Sequence, residues 1–163
     1  LSFAKPLLPQ VADCSLSEIV DGAIRQCEML PLFANMVVDV GFDDGLRLEV
    51  DSAVVSDMFV NLMRNAAESC SGEGTIKIEA TVVDTVVRVD VSDSGPGVPV
   101  AMRAEIFKPF CSSKVYGTGI GLAFSRKVVE AHAGSIELQG VGSGACFRIT
   151  LPVKAASVTR PLE

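Results

Sequence analysis

Asn61 and Asn65 stand four apart in Asn61-Leu62-Met63-Arg64-Asn65-Ala66, a spacing that puts both amides on one helix face. An amide oxygen is a hard ligand suited to magnesium, and the NH2 can donate to a phosphate. A solvated polar face would use the same pair. Asp93 opens Asp93-Ser94-Gly95-Pro96-Gly97. An ionised carboxylate only accepts, so it can take the exocyclic amino group of adenine, while Gly95 and Gly97 let a base approach the backbone. A plain strand-ending turn has the same composition. Phe107-Lys108-Pro109-Phe110 could anchor a loop on the core through its two rings, with Lys114 reaching a phosphate. Gly117-Thr118-Gly119-Ile120-Gly121-Leu122 then opens an apolar-periodic run. Glycine-rich backbone entering a helix aims several N–H groups and the positive dipole end at an anion. The spacing is neither G-x-G-x-x-G nor a P-loop, and a ligand-free glycine hinge is the alternative.

Elements must position these groups. Ser15 followed by Glu18 is a capping-box pattern, and Ile19, Val20, Ala23, Ile24 and Cys27 recur at helical spacing, so a helix should run to near Pro31. Residues 35–42 and 46–50 read as two strands joined by a turn at Asp43-Asp44-Gly45. Asp51 or Ser52 caps a second helix to about Cys70, with Val55, Met58, Phe59, Leu62 and Met63 on its buried face. Residues 75–83 and 86–93 form a strand pair turning at Asp84-Thr85. Residues 94–116 are irregular, with a short helix at 100–105, and so long a loop usually carries function. A third helix runs from near Gly119 to about Ala133, with Gly134 as its C-cap. Strands at 135–140 and 145–152 flank a Gly142-Ser143-Gly144 turn. This order predicts a two-layer α/β sandwich: a mixed, mostly antiparallel sheet with about three helices on one face.

A chain of 163 residues fits one domain, and 48% hydrophobic with 21% charged residues suits a soluble globular core. The net charge of −6 argues against a nucleic-acid surface, though not against a nucleotide, whose phosphates one lysine and a magnesium ion can serve. Five cysteines without a C-x-x-C pair point to a reduced, cytoplasmic compartment. No run approaches the ~20 apolar residues of a membrane span, and Leu1 begins no signal peptide. The missing initiator methionine and the closing Leu162-Glu163, which resembles a vector scar, suggest a fragment whose parent can still be membrane-anchored.

Together, and in this order, the motifs resemble those of the GHKL superfamily and, within it, the sensor histidine kinases. NLMRNA is similar to the N box, DSGPG to the first glycine box and FKPF to the F box. GTGIGLAFSRKVVEAHAG is similar to the second glycine box with its helix, and GSGACFRITLP to the final hairpin. The matches run from about residue 13 to 153, and the family fold is the Bergerat sandwich.

The resemblance implies roles. Asn65 would bind magnesium, with Asn61 supporting phosphate or metal; Asp93 would bind adenine, with Gly95 and Gly97 shaping the base pocket. Lys114 would contact the triphosphate, and Gly117, Thr118, Gly119, Gly121 and Leu122 would form the lid end and phosphate cradle. The lid, only Val115-Tyr116 between Lys114 and Gly117, is as short as in nitrogen-regulator sensors, and Tyr116 would fold over the nucleotide. Where gyrase-type ATPases resemble one another in a glutamate base, Asn61 offers an amide that takes no proton, favouring transfer to a protein side chain over hydrolysis. The implied cofactors are ATP and Mg2+. The implied partners are ATP or ADP, the chain's own dimerisation and histidine-phosphotransfer domain, and a response regulator.

The sole histidine, His132, lies where many family members have one that packs or caps the helix end. A phosphoacceptor belongs instead on a dimerisation helix, whose last turn and linker residues 1–12 resemble. Residues 13–153 would then be the catalytic domain and 154–163 a tail, and such a piece should bind ATP as a monomer without autophosphorylating. Two other readings remain at this point: a degenerate module that docks a response regulator, and a serine-directed relative.

Overall fold

Val87, Val89 and Val91 are buried, whereas Arg88, Asp90 and Ser92 between them are half-exposed, so this strand has an inner and an outer face. The computed structural model describes residues 5–112, 117–140 and 142–153. Its short two-stranded sheet pairs β1 (Ala12–Ser15) with β3 (Arg47–Val50). The main sheet contains β2 (Asn35–Gly41), β4 (Glu73–Val83), β5 (Val86–Asp93), β6 (Ser135–Gln139) and β7 (Cys146–Pro152), in the spatial order β2-β4-β5-β7-β6. Only β2 and β4 run parallel; the other three pairings are antiparallel. Ile76, Ile78, Phe147, Ile149 and Leu151 continue the inner face. Helices α1 (Leu16–Glu28), α2 (Ser52–Ser69) and α3 (Gly121–Ala131) supply the other half of the core. The expected two-layer mixed sandwich is the observed one.

One expected pairing is wrong. The segments at 35–42 and 46–50 are strands, but they do not pair with each other. Asn35 stands opposite Glu73 in a parallel ladder, while Val50 stands opposite Ala12 in an antiparallel one. The turn at Asp43–Gly45 leads the chain out of the main sheet. Beyond it, the Leu46 carbonyl accepts the Leu16 N–H at 3.0 Å, and Leu48 bridges to Val153 past the end of β7. Ala12, expected as the last linker residue, is the first residue of β1.

Helix ends follow local chemistry. The Ser15 hydroxyl accepts the Glu18 N–H at 3.3 Å, and Asp51 Oδ1 accepts the Ala53 N–H at 3.2 Å. At the end of α3, the Gly134 N–H reaches the Val129 carbonyl and the Ala133 N–H reaches that of Glu130, which is a Schellman closure. Its left-handed residue is Ala133 at φ 55°, not the expected Gly134. Gly134 is needed because a Cβ there would lie 2.1 Å from the Thr150 carbonyl oxygen.

His132, only 5% exposed, ties two helices together. Its Nε2 accepts the Asp51 N–H at 2.9 Å, so its Nδ1 must carry the hydrogen donated to the Val128 carbonyl at 2.7 Å. The N-terminal segment meets the same junction, since the Gln10 N–H donates to Asp51 Oδ2 at 2.8 Å. His132→Ala leaves the Asp51 N–H and a buried space unfilled, and should cost about 1–3 kcal/mol. Urea denaturation with an unchanged midpoint would contradict that role. No helix among the described residues is long and apolar enough to cross a membrane.

Candidate functional site

A cavity of about 330 Å³ opens between α2, the end of β5, the loop that follows it and the N-terminus of α3. Its size suits a small molecule. From α2 come Asn61, Arg64, Asn65, Glu68 and Ser69, a polar stripe at helical spacing, while Leu62, Met63 and Ala67 on the other side are buried. The two asparagines converge on the start of α3: a Cβ at Gly121 would lie 3.7 Å from Asn65 Nδ2 and 3.8 Å from Asn61 Oδ1. These are ordinary van der Waals distances, so the two amides and the first turn of α3 stand side by side on the cavity wall.

That first turn has no side-chain cap among the described residues. Ser15 and Asp51 cap α1 and α2, but Ile120 at the N-cap of α3 has no side chain that can accept, and the turn carries no acidic residue. Its free N–H groups and positive dipole end meet the cavity wall formed by Gly117, Thr118, Gly119, Gly121 and Leu122. Among the described residues no group of three or more His, Cys, Asp or Glu could hold a metal. The side-chain oxygens of Asn61 and Asn65 are a donor type that a hard cation such as magnesium accepts.

Asp93 ends the inward row Val87, Val89, Val91 and so points its carboxylate between sheet and helices. Its Oδ1 accepts N–H groups from Gly95 at 2.9 Å and Ala145 at 3.4 Å; Oδ2 has no hydrogen-bond partner among the described residues. Burial raises its pKa, and the two N–H groups only partly offset that. On the outer face of the same strand, Asp90 shifts the opposite way because Arg148 grips it with two 2.8 Å bonds. Gly97 lines the cavity, as expected. Gly95 does not; it stands behind Asp93, where a Cβ would meet Ser69 Oγ at 2.8 Å and Asp93 Oδ1 at 3.0 Å.

The loop after β5 is anchored by one of the two phenylalanines rather than both. Phe107 meets Phe147 edge to face at 6.1 Å, beside buried Ile106. Phe110 is 79% exposed and sits at φ 65°. Its contribution is through the backbone: its N–H donates to the Gly119 carbonyl at 3.0 Å. Gly119 has φ 66°, and a Cβ there would lie 2.5 Å from the Phe110 carbonyl carbon. Residues 110 and 119 thus hold the two ends of segment 111–118 together. Lys114 and Tyr116, expected to touch the nucleotide, lie outside the described residues. The short helix expected at 100–105 is a 3-10 turn at Val100–Met102.

Sequence reasoning overlooked the apolar wall: Val98, Met102, Ile106, Ala145 and Phe147. Inward alternation on β7 could have found Phe147; the contributions from the loop carry no such period. A larger groove of about 590 Å³, beside Arg103, Arg126 and Glu130, touches neither asparagine, nor Asp93, nor the lid glycines.

The fold and this cavity place the chain in a known class. Residues 50–155 match the family described as histidine kinase-, DNA gyrase B-, and HSP90-like ATPase, and the chain belongs to that family. It is 31% identical over 160 residues to the sensory histidine kinase/phosphatase NtrB of Rhodobacter capsulatus, covering 89% of this chain and 44% of that protein. It is 33% identical over 161 residues to the nitrogen regulation protein NtrY of Azorhizobium caulinodans, covering 92% of this chain and 20% of that one. The chain thus spans less than half the length of these relatives. The catalytic domain of histidine kinase ThkA superimposes with a TM-score of 0.76 at 29% identity, covering 88% of this chain and 95% of that one. The mycobacterial sensor histidine kinase MprB shares the fold, with a TM-score of 0.79 at 22% identity, covering 88% and 98%.

Proposed function

We propose that this chain is the nucleotide-loading part of a two-component sensor histidine kinase, binding ATP with magnesium and presenting the γ-phosphoryl group to a histidine on a separate dimerisation domain. The observation that carries this reading is the convergence of Asn61, Asn65, Asp93 and the uncapped start of α3 on one cavity. Asp93 takes the adenine amino group through Oδ2, and the apolar wall from Val98 to Phe147 encloses the base. The first turn of α3 receives the phosphates, joined by Lys114 and Thr118, with Tyr116 folding over the nucleotide. Asn65 supplies an oxygen to magnesium, and Asn61 steadies metal or phosphate; the ion itself neutralises charge on the phosphates.

His132 supports the division of labour. Both its ring nitrogens are engaged and it is buried, so it offers no nucleophile to a phosphoryl group. Asn61 cannot act as a base toward water, which favours transfer over hydrolysis. The acceptor histidine and the response regulator are partners of the parent kinase, and this part alone is monomeric. A degenerate docking module would have no reason to keep the asparagine stripe, the aimed carboxylate and the uncapped helix on one cavity.

Asn65→Ala provides the test. Affinity for ATP in magnesium should fall about tenfold or more, a loss typical of one hydrogen-bonded or ligating group beside a charge, and affinity in EDTA should change far less. Isothermal titration in the two buffers reads both. Equal losses with and without magnesium would refute the metal role.

A further inference from the structure

We propose that Gly144, in the turn between β6 and β7, is a positioning residue that fixes the Asp93 carboxylate and thereby sets the chain's selectivity for an amino-bearing purine. The inference rests on the reading of Asp93 as the adenine acceptor and concerns what holds that acceptor in place.

Three glycines lie in this connection, and their surroundings differ. A Cβ built at Gly140 or Gly142 meets nothing within 4 Å. At Gly144 it would lie 1.7 Å from the Asp93 carbonyl oxygen, 2.7 Å from its carbonyl carbon and 3.2 Å from Oδ1. Flexibility of the turn therefore does not explain Gly144; direct contact with Asp93 does. The flanking bonds lock the same pair of segments, with the Asp93 N–H on the Ala145 carbonyl at 2.9 Å and the Ala145 N–H on Asp93 Oδ1 at 3.4 Å. Gly97 closes the stack from the other side, where its own Cβ would lie 3.2 Å from the Gly144 carbonyl oxygen. Asp93 is thus seated against a backbone surface that only glycine at 144 leaves open.

A methyl group at 144 forces the end of β5 and the start of β7 apart by more than an ångström. Hydrogen bonds between heavy atoms work over a narrower range than that. The Ala145 N–H then loses Oδ1, and Oδ2 no longer meets the 6-amino group of adenine. The phosphates, held across the cavity by α2 and α3, keep their contacts. The signature is a loss of selectivity, whereas a merely structural lesion weakens every nucleotide alike.

The test uses the whole chain and two probes, ATP and purine riboside triphosphate, which lacks only the 6-amino group. Titration calorimetry gives the affinity ratio, and thermal melting reports folding. The wild-type chain should prefer ATP by roughly tenfold or more, the worth of one charge-assisted hydrogen bond. Gly144→Ala should lose most of that preference while binding purine riboside triphosphate nearly as before; Gly142→Ala should keep both affinities. A wild-type ratio in Gly144→Ala overturns the proposal. Asp93→Asn separates the two ideas: if it keeps the ratio, the adenine reading fails, and if it alone loses the ratio, only the positioning role fails. Should Gly144→Ala not melt cooperatively, Gly97→Ala takes its place, pressing on the Gly144 carbonyl from the opposite side. An unchanged ratio in that variant overturns the proposal equally.

Discussion

Asp93→Asn should all but abolish ATP binding while leaving the fold at least as stable, although the two side chains have the same shape. Two N–H donors, from Gly95 and Ala145, converge on Oδ1. In the variant, the amide oxygen must occupy that position, because an NH2 there would face two donors. The NH2 is then left at the site of Oδ2, pointing a donor at the donor amino group of adenine. One charge-assisted bond is lost and one group is left unpaired, together about 3 kcal/mol or more, or on the order of a hundredfold in affinity. Stability moves the other way. Burial raises the Asp93 pKa in the fold, so the folded chain binds this proton more readily than the unfolded chain. Ionisation therefore costs stability as pH rises through the interval between the two values, and the neutral amide avoids that cost. The same shift makes wild-type ATP affinity fall as pH drops through the raised Asp93 value, because a protonated carboxyl has lost its charge. Calorimetry and melting curves on both proteins read these effects. A variant that binds ATP normally, or one that simply unfolds, contradicts the account.

Gly119→Ala should have the second-largest effect, confined to the phosphates. Left-handed backbone costs an alanine about 1–2 kcal/mol, before any clash. Here the new Cβ would also lie 2.5 Å from the Phe110 carbonyl carbon and 2.7 Å from the Cys111 nitrogen, both backbone atoms with little freedom to give way. The bond between the Phe110 N–H and the Gly119 carbonyl is expected to open, releasing both roots of the lid. ATP affinity should fall at least tenfold, but AMP, which relies on Asp93 and the apolar wall, should lose little; the tenfold figure corresponds to about 1.4 kcal/mol. Fluorescence competition with AMP and ATP separates the two. Equal losses for both nucleotides would show that the clamp supports the whole cavity rather than the lid.

The elements most legible in the sequence are those with a clean period. The inward valines of β5 and the apolar stripe of α2 show their buried faces by period alone, and the caps at Ser15 and Asp51 locate two helix starts. Pairing was less legible. Residues 35–42 and 46–50 look like a hairpin because local pattern favours neighbours, yet β2 pairs with distant β4 and β3 with β1. Nothing in the two segments encodes that choice.

The site shows the same division. Asn61, Asn65 and Asp93 are legible because a side chain's type states the chemistry it can do, and the spacing of the two asparagines fixes a face. The glycines are harder to read, since a sequence says only that backbone approaches something closely. Gly95 backs the carboxylate, Gly97 and Gly144 pack together beside it, and Gly119 lies against the Phe110 backbone. At each of them a Cβ would meet other protein atoms. Phe110 misleads for a related reason: an aromatic residue suggests burial, but its backbone amide is what holds the loop.

The central claim is that this cavity holds a magnesium-bound adenine nucleotide. Titrating the chain with ADP, with magnesium present and then with EDTA, tests it most directly. The account predicts one site per chain, weaker binding without magnesium, and binding by Asp93→Asn weaker than wild type by on the order of a hundredfold in either buffer. An absence of binding heat from the wild-type chain at millimolar-scale nucleotide, about −4 kcal/mol of affinity or weaker, would contradict it.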